Sequence, residues 1–263
     1  MSCKIKITHY FFALYLTLLG CSSAPSVFAE PPRASVKPET TNVEPEADAI
    51  LKRMSDYLAG MQKFEMTGSS SIESVLDSGQ KIMLDFSNKL VIQRPNKLFS
   101  SRIGEDINQR FFYDGQSFTL YNTQDRVYAS IAAPDTISKT LDFALAQFNF
   151  TAPGIDLLHK NSHERLSNKL LSGFYIGKSL IDGVECHHLA FRNTEVDWQI
   201  WIQTGDKPLP KRYIITSRWI TSSPQYSTTM NWSLTPEFSE NIFNFVVPKE
   251  VKKVDLINVL PQS

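Results

Sequence analysis

Cysteine, glycine and net charge are all scarce in this chain, and each scarcity excludes something. Of 263 residues, three are cysteine and 11 are glycine, and 27 basic side chains are balanced by 27 acidic ones. Cys3 sits in an N-terminal export signal and Cys21 at its edge, which leaves Cys186 as the one internal thiol. An exported domain with a single free cysteine has no intramolecular disulfide, so its stability must come from a core. So few glycines argue against a glycine-rich nucleotide-binding fold. Zero formal charge argues against nucleic acid as a partner, because phosphate neutralisation needs a basic surface. The apolar run of residues 10–19 is too short to span a bilayer, which takes about 20 apolar residues. No Gly-x-Ser-x-Gly elbow is present to expose a nucleophilic serine, and no internal repeat is found.

What is present begins with an address. Lys4 and Lys6 precede the short apolar run, the pattern of a secretory signal peptide. Two cleavage sites compete. Leu18-Leu19-Gly20-Cys21 resembles a bacterial lipobox, which ends the signal at residue 20 and makes Cys21 the site of lipid attachment. Val27-Phe28-Ala29 is an ordinary small-residue site that ends it at residue 29. With Cys21 retained, Ser22 beside it fits export to the outer membrane, and periplasm is the destination otherwise. Either cut removes two of the 27 basic residues and no acidic one, so the mature chain carries 25 against 27. Residues 21–45 include Pro31, Pro32, Pro38 and Pro45 among Ser, Thr and charged residues, and read as an extended tether.

With 42% apolar residues, the remainder can fill a core. Residues 46–256 read as one domain and 257–263 as a tail. Ala47, Ile50, Leu51, Met54, Leu58 and Met61 form the stripe of an amphipathic helix. The period then changes to two, with turns at Asp77-Ser78-Gly79, Pro95-Asn96, Asp114-Gly115 and Asp182-Gly183. Ile137, Leu141, Ala144, Leu145 and Phe148 mark a second helix, and 153–158 a further helical turn. Strands resume over 173–181, 184–192, 196–203, 212–220, 227–234 and 242–247. About ten strands with helices at the start and the middle predict an α+β, mainly β fold. The economical arrangement is a strongly curved antiparallel sheet, a half-open β-barrel, with helices covering its open face and an apolar cavity beneath.

The stretch Asp182-Gly183-Val184-Glu185-Cys186-His187-His188-Leu189-Ala190-Phe191-Arg192, followed by Val196-Asp197-Trp198-Gln199-Ile200-Trp201-Ile202, resembles a family of bacterial periplasmic proteins known as domain of unknown function 2092. Lys207-Pro208-Leu209-Pro210-Lys211 and Phe243-Asn244-Phe245-Val246-Val247-Pro248 match its pattern as well, and the resemblance covers about residues 46–256. The order of elements is also similar to that of the periplasmic lipoprotein carrier and its outer-membrane receptor, the Lol type. That second resemblance implies a fold and a ligand class, acyl chains held between sheet and helical lid, and not an established activity, because fold does not fix function.

Cys186-His187-His188 is the one cluster with chemical potential. On a strand, alternate side chains face opposite sides, so Cys186 and His188 share a face and His187 points the other way. Neighbouring histidines then cannot ligate one metal without a bulge, and no metal or other cofactor is expected. His159 and His163 have helical spacing, but Asn161-Ser162 weakens a helix there. A hydrolase using His187 or His188 with Asp197 or Glu185, or a triad built on Ser179 or Cys186, needs groups that alternation separates. Ser78-Gly79-Gln80-Lys81 is a turn. Gly173 to Ser179 lacks the small residues and following helix of a phosphate loop.

The preferred expectation is a non-enzymatic envelope protein binding a lipid, acyl chain or lipidated protein. Trp198, Ile200 and Ile202 on one strand face, with Met54 and Phe148 from the two helices, are its candidate ligand-binding residues. Met61, Met66 and Met83 add adaptable packing. A hydrolase and an adaptor presenting an edge strand are the alternatives. In the Asp182-Gly183 hairpin, Gly183 is expected at positive φ. The Leu189 and Phe191 face is expected to be buried and to carry His187 inward, leaving Cys186 and His188 on the more open side.

Overall fold

The computed structural model describes residues 42–148, 150 and 152–255. The export signal, Cys21, most of the tether and the tail at 257–263 lie outside the described residues. Among the described residues the chain runs β1 (Asn42–Val43), α1 (Pro45–Gly60), β2 (Lys63–Val75), β3 (Lys81–Gln93), β4 (Lys97–Gly104), β5 (Asn108–Tyr113), β6 (Ser117–Asn122) and β7 (Val127–Ala132). It continues through α2 (Ile137–Phe148), a 3-10 turn (Ile155–Leu158), α3 (Ser162–Ser167), β8 (Ser172–Ile181), β9 (Val184–Arg192), β10 (Val196–Gln203), β11 (Pro210–Ser217) and β12 (Gln225–Ser233). A second 3-10 turn (Glu240–Phe243) and β13 (Lys252–Lys253) follow.

All thirteen strands form one sheet, ordered β1-β8-β9-β10-β11-β12-β2-β3-β4-β5-β6-β7-β13. Every pairing is antiparallel except the two-residue outer strands, β1 on β8 and β13 on β7. The sheet is strongly curved. Tyr213 on β11 and Leu120 on β6 are six strand steps apart, roughly 29 Å on a flat sheet at ~4.8 Å per step, yet they line the same cavity.

Alternation explains which side is buried. Phe64 and Met66 on β2, Leu90 and Ile92 on β3, and Leu189 and Phe191 on β9 share the concave face. Two packed clusters fill that face. In the first, Ala47, Ile50, Leu51, Met54 and Leu58 of α1 lie against Leu189, Trp198, Ile200, Ile202, Tyr213 and Met230. In the second, Ile137, Leu141 and Ala144 of α2 lie against Phe111, Phe118, Leu120 and Ala129. Pro45 opens α1, where its missing N–H costs nothing and its fixed φ suits the helix. Leu145, expected on the buried stripe of α2, is 39% exposed at the margin.

The fold departs from the sequence reading elsewhere as well, and the strand expected over 212–220 ends at Ser217. Residues 242–247 are no strand. Ser239 caps a 3-10 turn, and Phe245 lies on the outer sheet face against Phe112, Tyr121 and Tyr128, with ring centroids 5.3, 5.5 and 4.9 Å away. The alternating aromatics reflect that docking. Asn161-Ser162 does not prevent a helix, because Asn161 precedes α3 and donates to Glu164 at 3.1 Å while Ser162 is buried. Cys186, expected on the open face, is fully buried with Ile181, Trp201 and Ile214 in a small cluster on the outer side. Burial pushes its thiol up to about 11.

The Asp182-Gly183 turn has φ of 48° and 78°, as a two-residue turn with both centres left-handed requires. No heavy atom lies within 4 Å of a Cβ placed at Gly183, so a substitution there meets strain from the backbone alone. Gly183→Val is expected to lower stability by more than about 1 kcal/mol, measured by urea denaturation, because a β-branched residue resists φ > 0.

Candidate functional site: an apolar cavity at the seam of two cores

The cavity opens where the two packed clusters meet. Leu90, Leu98, Phe111, Leu120 and Leu141 come to it from one cluster, and Phe86, Leu157, Tyr213, Tyr226 and Met230 from the other. Met66 and Trp232 touch both clusters and line the cavity between them. Trp232 is held in place by its indole N–H, which donates to the Pro210 carbonyl at 2.7 Å. The cavity volume is about 160 Å³. An engineered apolar cavity of roughly 150 Å³ takes up benzene, so this one has room for about six carbons.

Its wall on the helical side is fastened by Arg94, only 8% exposed at the end of β3. The guanidinium donates from Nε to the Met61 carbonyl at 3.1 Å and from Nη2 to the Leu158 carbonyl at 3.0 Å. One side chain thereby ties the turn after α1 to the 3-10 turn that carries Ile155, Leu157 and Leu158 into the cavity.

The five residues put forward from sequence lie elsewhere. Trp198, Ile200, Ile202 and Met54 are at most 3% exposed in the cluster beneath α1, and none lines the cavity. Trp198 stacks on Phe191 at 4.3 Å and meets Tyr213 edge-on at 5.8 Å. Phe148 packs edge-on against Phe118 and Phe143 behind the cavity wall. Of the other methionines, Met66 lines the cavity, Met61 packs against both clusters, and Met83 is 54% exposed. Met230, Trp232, Phe150 and the polar residues Asn88, Arg102 and Gln109 line the cavity without having been singled out. Their signal was weak. In Gln109-Arg110-Phe111-Phe112-Tyr113 both faces carry aromatics, so period alone does not assign an inner side.

The histidines occupy opposite faces, as alternation requires. His187 pairs across from Ile202 and its Nδ1 lies 3.2 Å from the Tyr175 hydroxyl, while His188 pairs across from Trp201. His188 stacks on the Trp201 indole at 4.1 Å and its Nε2 lies 3.0 Å from Gln199 Oε1. Asp197 is held by both donors of Arg192 at 2.6 and 2.7 Å, and Glu185 by Lys178 at 3.0 Å. The acids that a histidine-based hydrolase would need are engaged elsewhere. Among the described residues, no three of His, Cys, Asp and Glu are placed to hold a metal ion.

His159 is the deepest imidazole, 1% exposed, with Nδ1 3.9 Å from an Asp142 carboxylate oxygen on α2. Burial holds it below its ordinary value of 6.5, and Arg165 adds to the effect. Burial shifts His187 and His188 the same way. Such groups bind more protons unfolded than folded, so their stabilising contribution is complete above the ordinary value. It is lost as pH falls from there toward the depressed folded values. The melting temperature is expected to drop between about pH 7 and pH 5, and a His159→Gln variant to drop less steeply.

An open, curved antiparallel sheet with helices across its concave side and an apolar cavity between them defines the class: a half-open barrel covered by helices. The chain belongs to the family described as predicted periplasmic protein (DUF2092), which it matches over residues 47–257. No curated protein matches it. Among solved structures it is similar to an uncharacterised conserved protein from Thermus thermophilus, with 9% identity over 80% of this chain and 99% of that one and a TM-score of 0.46. It is also similar to LprF from Mycobacterium bovis, with 12% identity over 79% and 98% and a TM-score of 0.44. A LolA superfamily protein from Nitrosomonas europaea gives 11% identity over 76% and 97% and a TM-score of 0.36.

Proposed function

We propose that this periplasmic protein binds an acyl chain, free or as part of a lipid or lipidated protein, in the cavity at the seam of its two cores. The observation that carries the reading is the cavity itself, a space for about six carbons walled by Leu90, Leu98, Phe111, Leu120 and Trp232. Each buried methylene contributes about 0.8 kcal/mol, so six contribute roughly 5 kcal/mol with no catalytic group involved. Longer chains gain more only if the seam widens, and Met66 and Met230 on its walls are side chains that adapt to such a change.

The layout from sequence completes the proposal. A signal over 1–20, lipid attachment at Cys21 and a tether to residue 45 would hold the 46–256 domain near the outer membrane, within reach of lipid. Native mass spectrometry of protein extracted under mild conditions tests the cavity reading. The expected result is a fraction carrying one acyl compound. Protein that carries none, and takes up none after incubation with phospholipid vesicles, sinks it.

A further inference from the structure

The cavity wall turns polar on three neighbouring strands. Along β3 the lining runs from Leu90 to Asn88, with Phe86 beyond, along β4 from Leu98 and Ser100 to Arg102, and along β5 from Phe111 to Gln109. The register places Asn88 opposite Arg102 and Arg102 opposite Gln109, one polar level. Along β12 the lining changes from Trp232 and Met230 to Thr228 and Tyr226 two residues further on, since Met230 is level with Asn88 through Gly68. From Leu98 to Arg102 is four strand residues, about 13 Å.

The polar level is built, not incidental. Ser70 donates to Thr228 at 2.8 Å and receives Asn88 Nδ2 at 2.7 Å, with the Tyr226 hydroxyl 3.2 Å away. Arg102 Nη2 donates to Gln109 Oε1 at 3.0 Å. Asn88 Oδ1 is buried and accepts no hydrogen bond. Gly68 opposite makes room for that amide, since a Cβ there would collide with Asn88 Oδ1 and the Thr229 carbonyl. A hydrocarbon alone needs none of this. A guanidinium on a cavity wall carries five donors in a planar fork, suited to carboxylate and phosphate oxygens. Burial holds the Arg102 guanidinium below its ordinary value, and Tyr226 and Asp106 oppose that shift.

We propose that the cavity selects single-chain amphiphiles with an anionic head, a carboxylate or phosphate, whose oxygens are received by Arg102 at the polar level while the tail runs toward Phe111 and Leu120. The small volume admits one chain, not two. This rests on the acyl-binding reading and adds to it the head group and its direction.

Calorimetric titration of the purified protein with dodecanoate, dodecyl phosphate, dodecanol and dodecyltrimethylammonium below their micellar or solubility limits tests it, with acetate and inorganic phosphate as controls that lack a tail. Both anionic amphiphiles are expected to bind at least about tenfold more tightly than dodecanol, whose tail is as long, the order of one charge-assisted hydrogen bond. The cationic one is expected to bind weakest, and acetate and phosphate not to bind measurably. Arg102→Gln, and separately Gln109→Glu, which sets a carboxylate beside the guanidinium, should shrink the ratio of anionic to dodecanol affinity. Equal binding of anionic, neutral and cationic chains by the wild-type protein overturns the head-group assignment and leaves acyl binding standing. Phosphate binding as tightly as dodecyl phosphate also overturns it, by making the site one for small anions. Failure of every amphiphile to bind removes the acyl reading itself. The wild-type comparison decides the matter even if a variant folds poorly.

Discussion

Replacing Arg94 with methionine is expected to lower the free energy of unfolding by about 3 kcal/mol, the largest loss anticipated for any charged residue here. Methionine keeps the length of the buried stem and removes both side-chain donors. The Met61 and Leu158 carbonyls, held now at 3.1 and 3.0 Å, would each lose a charged partner in a place that water reaches poorly. Hydrogen bonds to charged groups contribute about 1.5–3 kcal/mol apiece. Some of that is offset because the guanidinium no longer has to be desolvated, and burial does hold it below its ordinary value. The backbone bond from Arg94 N–H to the Gln62 carbonyl survives the change. Urea denaturation measures the effect, and a loss under about 1 kcal/mol would show that the two turns are held by packing alone. Leu158 also lines the cavity, so the same substitution should loosen the wall.

Trp198→Ala is expected to cost about 3–5 kcal/mol, in the range of large aromatic deletions from packed cores. The indole is 3% exposed, stacked on Phe191 and edge-on to Tyr213, with Leu189 and Ile200 in the same cluster beneath α1. Nothing around it is free to fill the space, because Ile200, Ile202 and Met54 are themselves fully buried. The variant also separates two roles for this residue. A core tryptophan costs stability and leaves ligand preference unaltered in whatever fraction stays folded. A tryptophan that touches ligand would change preference with little cost in stability. The position of Trp198 away from the cavity favours the first outcome.

Elements were legible in this sequence wherever a period and a turn signal coincided. The Asp182-Gly183 hairpin, the α1 stripe and the separation of His187 from His188 all followed from alternation and helical spacing, which act locally. The cavity was not legible residue by residue. An inward-facing apolar side chain looks the same in sequence whether it meets a neighbour, as Ile200 does, or an empty space, as Leu120 does. That difference depends on how far six strands curl, a property of the whole sheet. The polar level was harder still. Asn88, Arg102 and Gln109 sit on three consecutive strands and read singly as solvated positions, and only the register of β3, β4 and β5 brings them into one row. Residues 242–247 misled in the opposite sense, because aromatic alternation that usually marks a strand here marks rings laid on the outside of one.

Filling the cavity is the most direct test that it holds the ligand. Ser100 on β4 lines it between Leu98 and Arg102, facing Leu90 on β3 and Phe111 on β5. A phenyl ring there matches a space of about 160 Å³, so Ser100→Phe should fold with a melting temperature at or above that of the wild type. Dodecanoate titrated into this variant by calorimetry should bind at least about tenfold more weakly than to the wild-type protein. Undiminished binding by a stably folded Ser100→Phe protein would place the acyl chain somewhere other than this cavity.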